Sequence, residues 1–224
     1  MCRATGLYYV AMQLVRYRRL SDVLARVPRK KISRIIFQVA SAARFLEEQE
    51  LSHRDIKPDN ICISRDFSTA ILLDLGVLKP IGADEITGDE RGTPFIGTLR
   101  YSPIEFALSE VEDTVEGWRA VTFYQLGGVL HDLITREKMF ADIEEPYAKL
   151  VLAIQGGPPQ IGASDDVLLP LVGLAQRCLV GKASTYRCER PKPRPHVYPL
   201  CVPQGPSGLP IPDTLLAQDS DMRQ

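Results

Sequence analysis

The chain has 224 residues, 45% of them hydrophobic, enough to bury a core in one domain or two small ones and too many for a polypeptide disordered throughout. Its 27 Lys and Arg nearly balance 28 Asp and Glu, which excludes the global field expected of a nucleic-acid or acidic-membrane binder. Five cysteines (Cys2, Cys62, Cys178, Cys188 and Cys201) lack CxxC or Cys/His ligand spacing, which argues against a zinc site or disulfide scaffold and favours a reducing, cytoplasmic setting.

Residues 6–15 are apolar but short, lack a small-residue cleavage site and run into Arg16, Arg18 and Arg19, unlike a signal peptide; no segment reaches membrane-spanning length. Within that run, β-branched and aromatic residues predict a buried strand over 7–15 and a turn over 16–19. Ile32, Ile35, Ile36, Val39, Ala43 and Leu46 then fall at helical spacing, with Arg34, Gln38 and Arg44 on the opposite, exposed face. This helix carries Arg29, Lys30 and Lys31 at its start and Glu47 and Glu48 at its end, against the macrodipole, so packing must hold it.

Two β-like runs, 61–64 and 70–73, flank the turn-forming residues 65–68 and predict a hairpin. Residues 80–94 have no period and predict a long loop. Ser102, Pro103 and Glu105 are spaced as a capping box at a helix start. Residues 121–135 are apolar almost all round except for Gln125, His131 and Asp132, which predicts a buried central helix. Further helices are expected over 147–154 and 167–179, the second capped near Ser164, Asp165 and Asp166. From Pro191 the chain turns Pro-rich and predicts an extended or disordered tail over 191–224.

The chemistry concentrates in His53-Arg54-Asp55-Ile56-Lys57-Pro58-Asp59-Asn60, between helix and hairpin, and in Asp74-Leu75-Gly76 after the second strand. These two runs resemble the catalytic loop and the metal-binding Asp-Phe-Gly of the protein kinase family, with Leu for Phe. Gly97-Thr98-Leu99-Arg100-Tyr101-Ser102-Pro103-Ile104-Glu105 resembles the end of that family's activation segment. The resemblance implies an α+β fold, predominantly α, of the kinase C-lobe type, with residues 1–190 forming the domain from the hinge onward and the N-terminal β-lobe missing, as in a truncated fragment.

It also implies roles. Asp55 would orient the acceptor hydroxyl and take its proton, Lys57 would offset phosphoryl charge, and Thr98 would hydrogen-bond Asp55 and Lys57. Asn60 and Asp74 would hold Mg²⁺ with the phosphates of ATP. Met12 would be the gatekeeper, Gln13 and Val15 would meet adenine through their backbone, and Cys62 would lie beneath it. A Lys at position 57 is typical of Ser/Thr specificity in this family.

His53 is expected to pack structurally beneath the loops, Glu105 to pair with Arg187, and Arg54 to meet a phosphate on Thr87 or Thr93. Thr122 stands where the family usually has an Asp that accepts hydrogen bonds from the catalytic-loop backbone, a departure that weakens the expected preorganisation. The expected partners are therefore ATP, Mg²⁺ and a protein with a Ser or Thr acceptor, with no nucleic acid and no membrane segment. An exposed lobe interface would favour self-association. Two other readings stay open: a non-catalytic pseudokinase-like scaffold, and a small-molecule phosphotransferase of the wider kinase-like group.

Overall fold

In the computed structural model, residues 2–4, 7–9, 13–82, 97–143, 147–162 and 168–180 are described, all within one unit that spans residues 1–185. Strands β1 (Cys2–Ala4) and β2 (Leu7–Tyr9) pair antiparallel, Cys2 opposite Tyr9. The strand expected over 7–15 is thus short: residues 13–16 are irregular, and Leu14 is 74% exposed. The turn expected over 16–19 is instead partly strand, since β3 (Arg18–Arg19) pairs with β5 (Ile61–Ile63), putting Arg18 opposite Ile63 and Arg19 opposite Cys62. Backbone pairing with a distant strand has overridden local turn chemistry.

A single turn of helix, α1 (Leu20–Val23), leads to α2 (Ile32–Glu48), which buries Ile32, Ile35, Ile36, Val39 and Ala43 on one face as the spacing predicts. Gln38, expected on the exposed face, is half-buried: its side chain donates to Ser68 O and accepts from Ala70 N, fastening α2 to the hairpin. Lys31 is the N-cap of α2 and makes no side-chain cap. At the other end the misplaced Glu47 is taken up by a two-pronged pair with Arg119, whose terminal nitrogen lies 2.6 Å from Oε1. Packing and one interhelix ion pair thus offset charges that the dipole disfavours.

The hairpin joins β5 to β6 (Ala70–Leu72) in the expected place, Cys62 opposite Ile71. Its turn is organised by Ser64, whose hydroxyl accepts from Ser68 N and Thr69 N and donates to Asp66. A second ladder pairs β4 (Leu51–Ser52) with β7 (Lys79–Pro80).

The capping box at Ser102 does not form. Helix α3 (Ile104–Ala107) has Pro103 at its N-cap, with no side-chain cap, because the Ser102 hydroxyl turns away to donate to Thr98 O at 3.0 Å. Helix α4 (Val115–Thr135) begins earlier than the all-apolar stretch suggests, at Thr114, whose hydroxyl accepts from Gly117 N. It runs through the core, with Tyr124, Val129, Leu130 and Leu133 among the buried residues of one cluster shared with α2. Helices α5 (Tyr147–Gln155) and α6 (Leu169–Leu179) follow, and α6 packs along α4.

Two adjacent glycines permit close packing around α4, Gly127 against α6 and Gly128 against Met139 and Tyr101. A Cβ on Gly127 would lie 2.8 Å from Cys178 Cβ, and one on Gly128 would lie 2.9 Å from both Met139 Sδ and Tyr101 Cδ1. Gly127→Ala is therefore expected to cost roughly 1–3 kcal/mol by overpacking, read as a lower urea midpoint at unchanged slope. An unchanged midpoint would show that α6 gives way freely.

The fold is α+β with helices predominating, and among the described residues no helix is long and apolar enough to cross a membrane. Several expectations lie outside the described residues: Met12, the loop bearing Thr87 and Thr93, the Ser164 cap region, Arg187 as partner of Glu105, and the Pro-rich segment 191–224.

Candidate active site

The loop between β4 and β5 must turn sharply, and it does so at Arg54, which takes a left-handed backbone (φ 65°). Its Nε donates to Val77 O at 2.7 Å, tying the loop to the residues after Asp74. On one side of Arg54, His53 is 2% exposed and bridges two segments: its Nδ1 accepts from Asp55 N at 3.3 Å, so Nε2 carries the proton donated to Leu73 O at 2.9 Å. That is the packing role expected of it.

Burial holds the His53 imidazole below its ordinary pKa, although the Leu73 carbonyl, Asp55 and Asp74 all favour the proton. The unfolded imidazole titrates near its usual 6.5, so as pH falls below that value the unfolded state binds the extra proton and stability drops until the lower folded pKa is passed. The expected loss is up to about 1.4 kcal/mol per pH unit in that window, measured as the difference between wild type and His53→Gln in urea melts from pH 7 downward. Parallel curves would remove His53 as the cause.

Asp55 is buried, and its two carboxylate oxygens differ. Oδ2 accepts from Lys57 Nζ at 2.7 Å and from Asn60 Nδ2 at 2.9 Å, whereas Oδ1 is buried with no hydrogen-bond partner among the described residues. Lys57 Nζ also donates to Thr98 Oγ1 at 2.5 Å. Among the described residues the Thr98 hydroxyl bonds Lys57 and not Asp55, which it reaches through that ammonium, a correction to the expected direct contact. Asn60 spends its amide N–H groups on the carbonyl and carboxylate of Asp55, and its carbonyl Oδ1 receives no hydrogen bond among the described residues.

Asp74 is positioned by the backbone of the residue before it. Leu73 N donates to Asn60 O at 2.8 Å while Leu73 O accepts from His53, so the end of β6 is held from both sides. Asp74 is exposed, takes a left-handed backbone (φ 62°), and accepts from Gly76 N. Asp55, Lys57, Asn60 and Thr98 are thus joined in one network, with Asp74 fixed alongside. Cys62 is buried in β5, where burial raises its thiol pKa; Gln13 is exposed and Val15 half-buried.

The donor set suits Mg²⁺ with nucleotide phosphates. Among the described residues no three His, Cys, Asp or Glu converge as a metal cage, while Asn60 Oδ1 and the Asp74 carboxylate are hard oxygens left for a cation that draws its other ligands from phosphate and water.

Thr122 does not carry the load expected at its position. The loop around Asp55 is anchored instead by Gln125, three residues on, which is 1% exposed. Its Nε2 donates to Arg54 O at 2.6 Å and its Oε1 accepts from Ile56 N at 3.2 Å, gripping the backbone on both sides of Asp55. A polar residue on an otherwise apolar buried helix was the signal in the sequence. Two further anchors went unread: Arg100 donates to the carbonyls of Met139, Phe140 and Ile143, and Asp132, fully buried, accepts from Tyr101 Oη at 2.5 Å and Met139 N at 2.8 Å. Burial raises the Asp132 carboxyl and the Tyr101 phenol above their ordinary pKa values.

The protein kinase domain model matches residues 1–158. The serine/threonine-protein kinase PknH of Mycobacterium tuberculosis is 35% identical over 135 residues, 58% of this chain and 20% of that protein. The PAS domain-containing serine/threonine-protein kinase of Mus musculus is 32% identical over 147 residues, 64% of this chain and 9% of the relative. The cell surface receptor daf-4 of Caenorhabditis elegans is 29% identical over 140 residues, 58% of this chain and 18% of the receptor. The chain thus spans about a fifth or less of these relatives. The family match over most of the chain, together with the network around Asp55, shows that it belongs to the protein kinase family, on its eukaryotic-like Ser/Thr side.

Proposed function

We propose that this chain is the catalytic lobe of a protein Ser/Thr kinase, with residues 1–190 as the kinase domain, transferring the γ-phosphoryl group of ATP to a Ser or Thr hydroxyl. The observation that carries the reading is the Asp55 carboxylate, one oxygen held by Lys57 and Asn60 and the other buried without a partner among the described residues. A buried acceptor left unsatisfied costs stability, and an incoming hydroxyl supplies the donor it lacks.

In this reading Asp55 orients the acceptor hydroxyl and takes its proton, and Lys57 places positive charge beside the transferring group. Asn60 and Asp74 hold Mg²⁺, which offsets phosphate charge when bound. Thr98 steadies Lys57, and Met12, Gln13, Val15 and Cys62 form the adenine edge. The departure at Thr122 weighs less for the non-catalytic alternative, because Gln125 holds the backbone on both sides of Asp55.

The test is γ-phosphate transfer from ATP·Mg²⁺ to Ser, Thr and Tyr peptides and to free sugars and choline-like alcohols. It is run with this chain and with any longer natural protein that contains it. Transfer to Ser or Thr peptides alone is expected. Transfer to small alcohols but not peptides would favour the small-molecule reading, and neither binding nor transfer would favour a scaffold.

A further inference from the structure

The charge balance of the whole chain hides a local imbalance. Residues 16–34 hold eight Arg or Lys and one acid, Asp22, in a chain whose net charge is −1. Arg16, Arg18, Arg19, Lys30 and Arg34 are exposed and Lys31 half-exposed. None of these six pairs with a carboxylate among the described residues.

The topology joins them into one belt. β3 presents Arg18 and Arg19 along β5, the hairpin continues to Ser68, and Ser68 O accepts from Arg34 Nε, next to the turn that carries Lys30 and Lys31. The acid in that hairpin turn, Asp66, is engaged locally by Ser64 and Ser68. At α2, cations crowd a helix start whose dipole already favours an anion, an arrangement that folding alone does not ask for. Leu14 and Tyr17, both exposed in the same stretch, add apolar surface of the kind peptide docking uses.

We propose that this belt is a docking surface for an acidic segment of a protein partner. A short peptide fits the observations better than a larger polyanion. Outside residues 16–34 acidic residues outnumber basic ones, so an extended nucleic acid or an anionic membrane would meet repulsion beyond the belt. The belt also adjoins the candidate active site: Arg19 is opposite Cys62, two residues past Asn60, and β3 packs on the Pro58–Asn60 turn. A docked segment would hold its own flanking Ser or Thr near Asp55, a consequence that rests on the kinase reading, whereas the docking does not.

The experiment is fluorescence anisotropy of the full chain with a labelled peptide alternating Asp and Glu with Gly and Ser, against the same peptide carrying Asn and Gln. The acidic peptide is expected to bind about tenfold or more tightly, and more weakly as salt rises, since exposed charges are screened. The triple variant Arg16→Glu, Arg18→Glu, Arg19→Glu loses that preference, and Lys30→Glu with Arg34→Glu serves as a second variant should the first not fold. Asp55→Asn keeps the preference, which separates this proposal from the kinase reading. Equal binding of both peptides, a folded charge-reversal variant that still prefers the acidic one, or tighter binding to single-stranded RNA or phosphatidylserine vesicles would overturn it.

Discussion

Asp55→Asn is expected to lower kcat for phosphoryl transfer roughly 10²–10⁴-fold, the usual contribution of a positioned general base. That is about 3–5 kcal/mol of transition-state stabilisation. The geometry makes the variant informative because it separates two jobs. Oδ2 accepts from Lys57 and Asn60, and an Asn carbonyl placed there can still accept from both. The amide NH₂ then occupies the position of the unpartnered Oδ1, where a donor replaces an acceptor. The loop is expected to keep its shape while position 55 loses its ability to take a proton. The expected signature is a collapsed kcat, an ATP affinity changed little, and an unchanged melting temperature. Transfer within a factor of a few of wild type would remove Asp55 from the chemistry.

Much of this site was legible because its residues are close in sequence. Asp55, Lys57 and Asn60 lie within six positions, and α2 and the hairpin beside them follow from periodicity alone, since an apolar stripe or a turn flanked by β-branched runs has few other ways to bury itself. What was not legible depends on partners far along the chain. Arg18 and Arg19 read as a turn because nothing local announces that β5 will pair with them. Ser102 read as a cap because the spacing is right, yet Thr98 O takes its hydroxyl. The start of α4 was missed because the residues after Thr114 mix Glu, Gly and Arg with apolar ones, although the cap itself was present in the sequence.

The same limit applies at Thr122, where the sequence shows the departure from the family pattern and not what takes over the grip. Position within a family motif points to a residue, but the grip on a backbone depends on side-chain length and on which way the helix turns. A Gln three residues further on reaches both sides of Asp55, one end donating and the other accepting, which a carboxylate could not do. The sequence marks Gln125 as polar on a buried helix; only the fold tells what it holds.

Gln125→Leu should therefore be costly twice over. It strips the acceptor from Ile56 N and the donor from Arg54 O inside a site that is 1% exposed, and each orphaned backbone group costs about 1–3 kcal/mol. A loss of roughly 2–4 kcal/mol in urea melts is expected. Catalysis should suffer through position: kcat falls on the order of 10–100-fold with KM for peptide little changed, because Asp55 is no longer aimed by its neighbours. A purely structural role would move stability and leave kcat per folded molecule intact, which is the result that would refute positioning. Gln125→Glu separates the two grips. A carboxylate still accepts from Ile56 N but repels Arg54 O, and burial raises its pKa, so this variant should regain activity relative to wild type as pH falls and the protonated acid again offers a donor. Hydrogen exchange at the Ile56 amide gives a readout free of catalysis: protection is lost in Gln125→Leu and kept in Gln125→Glu.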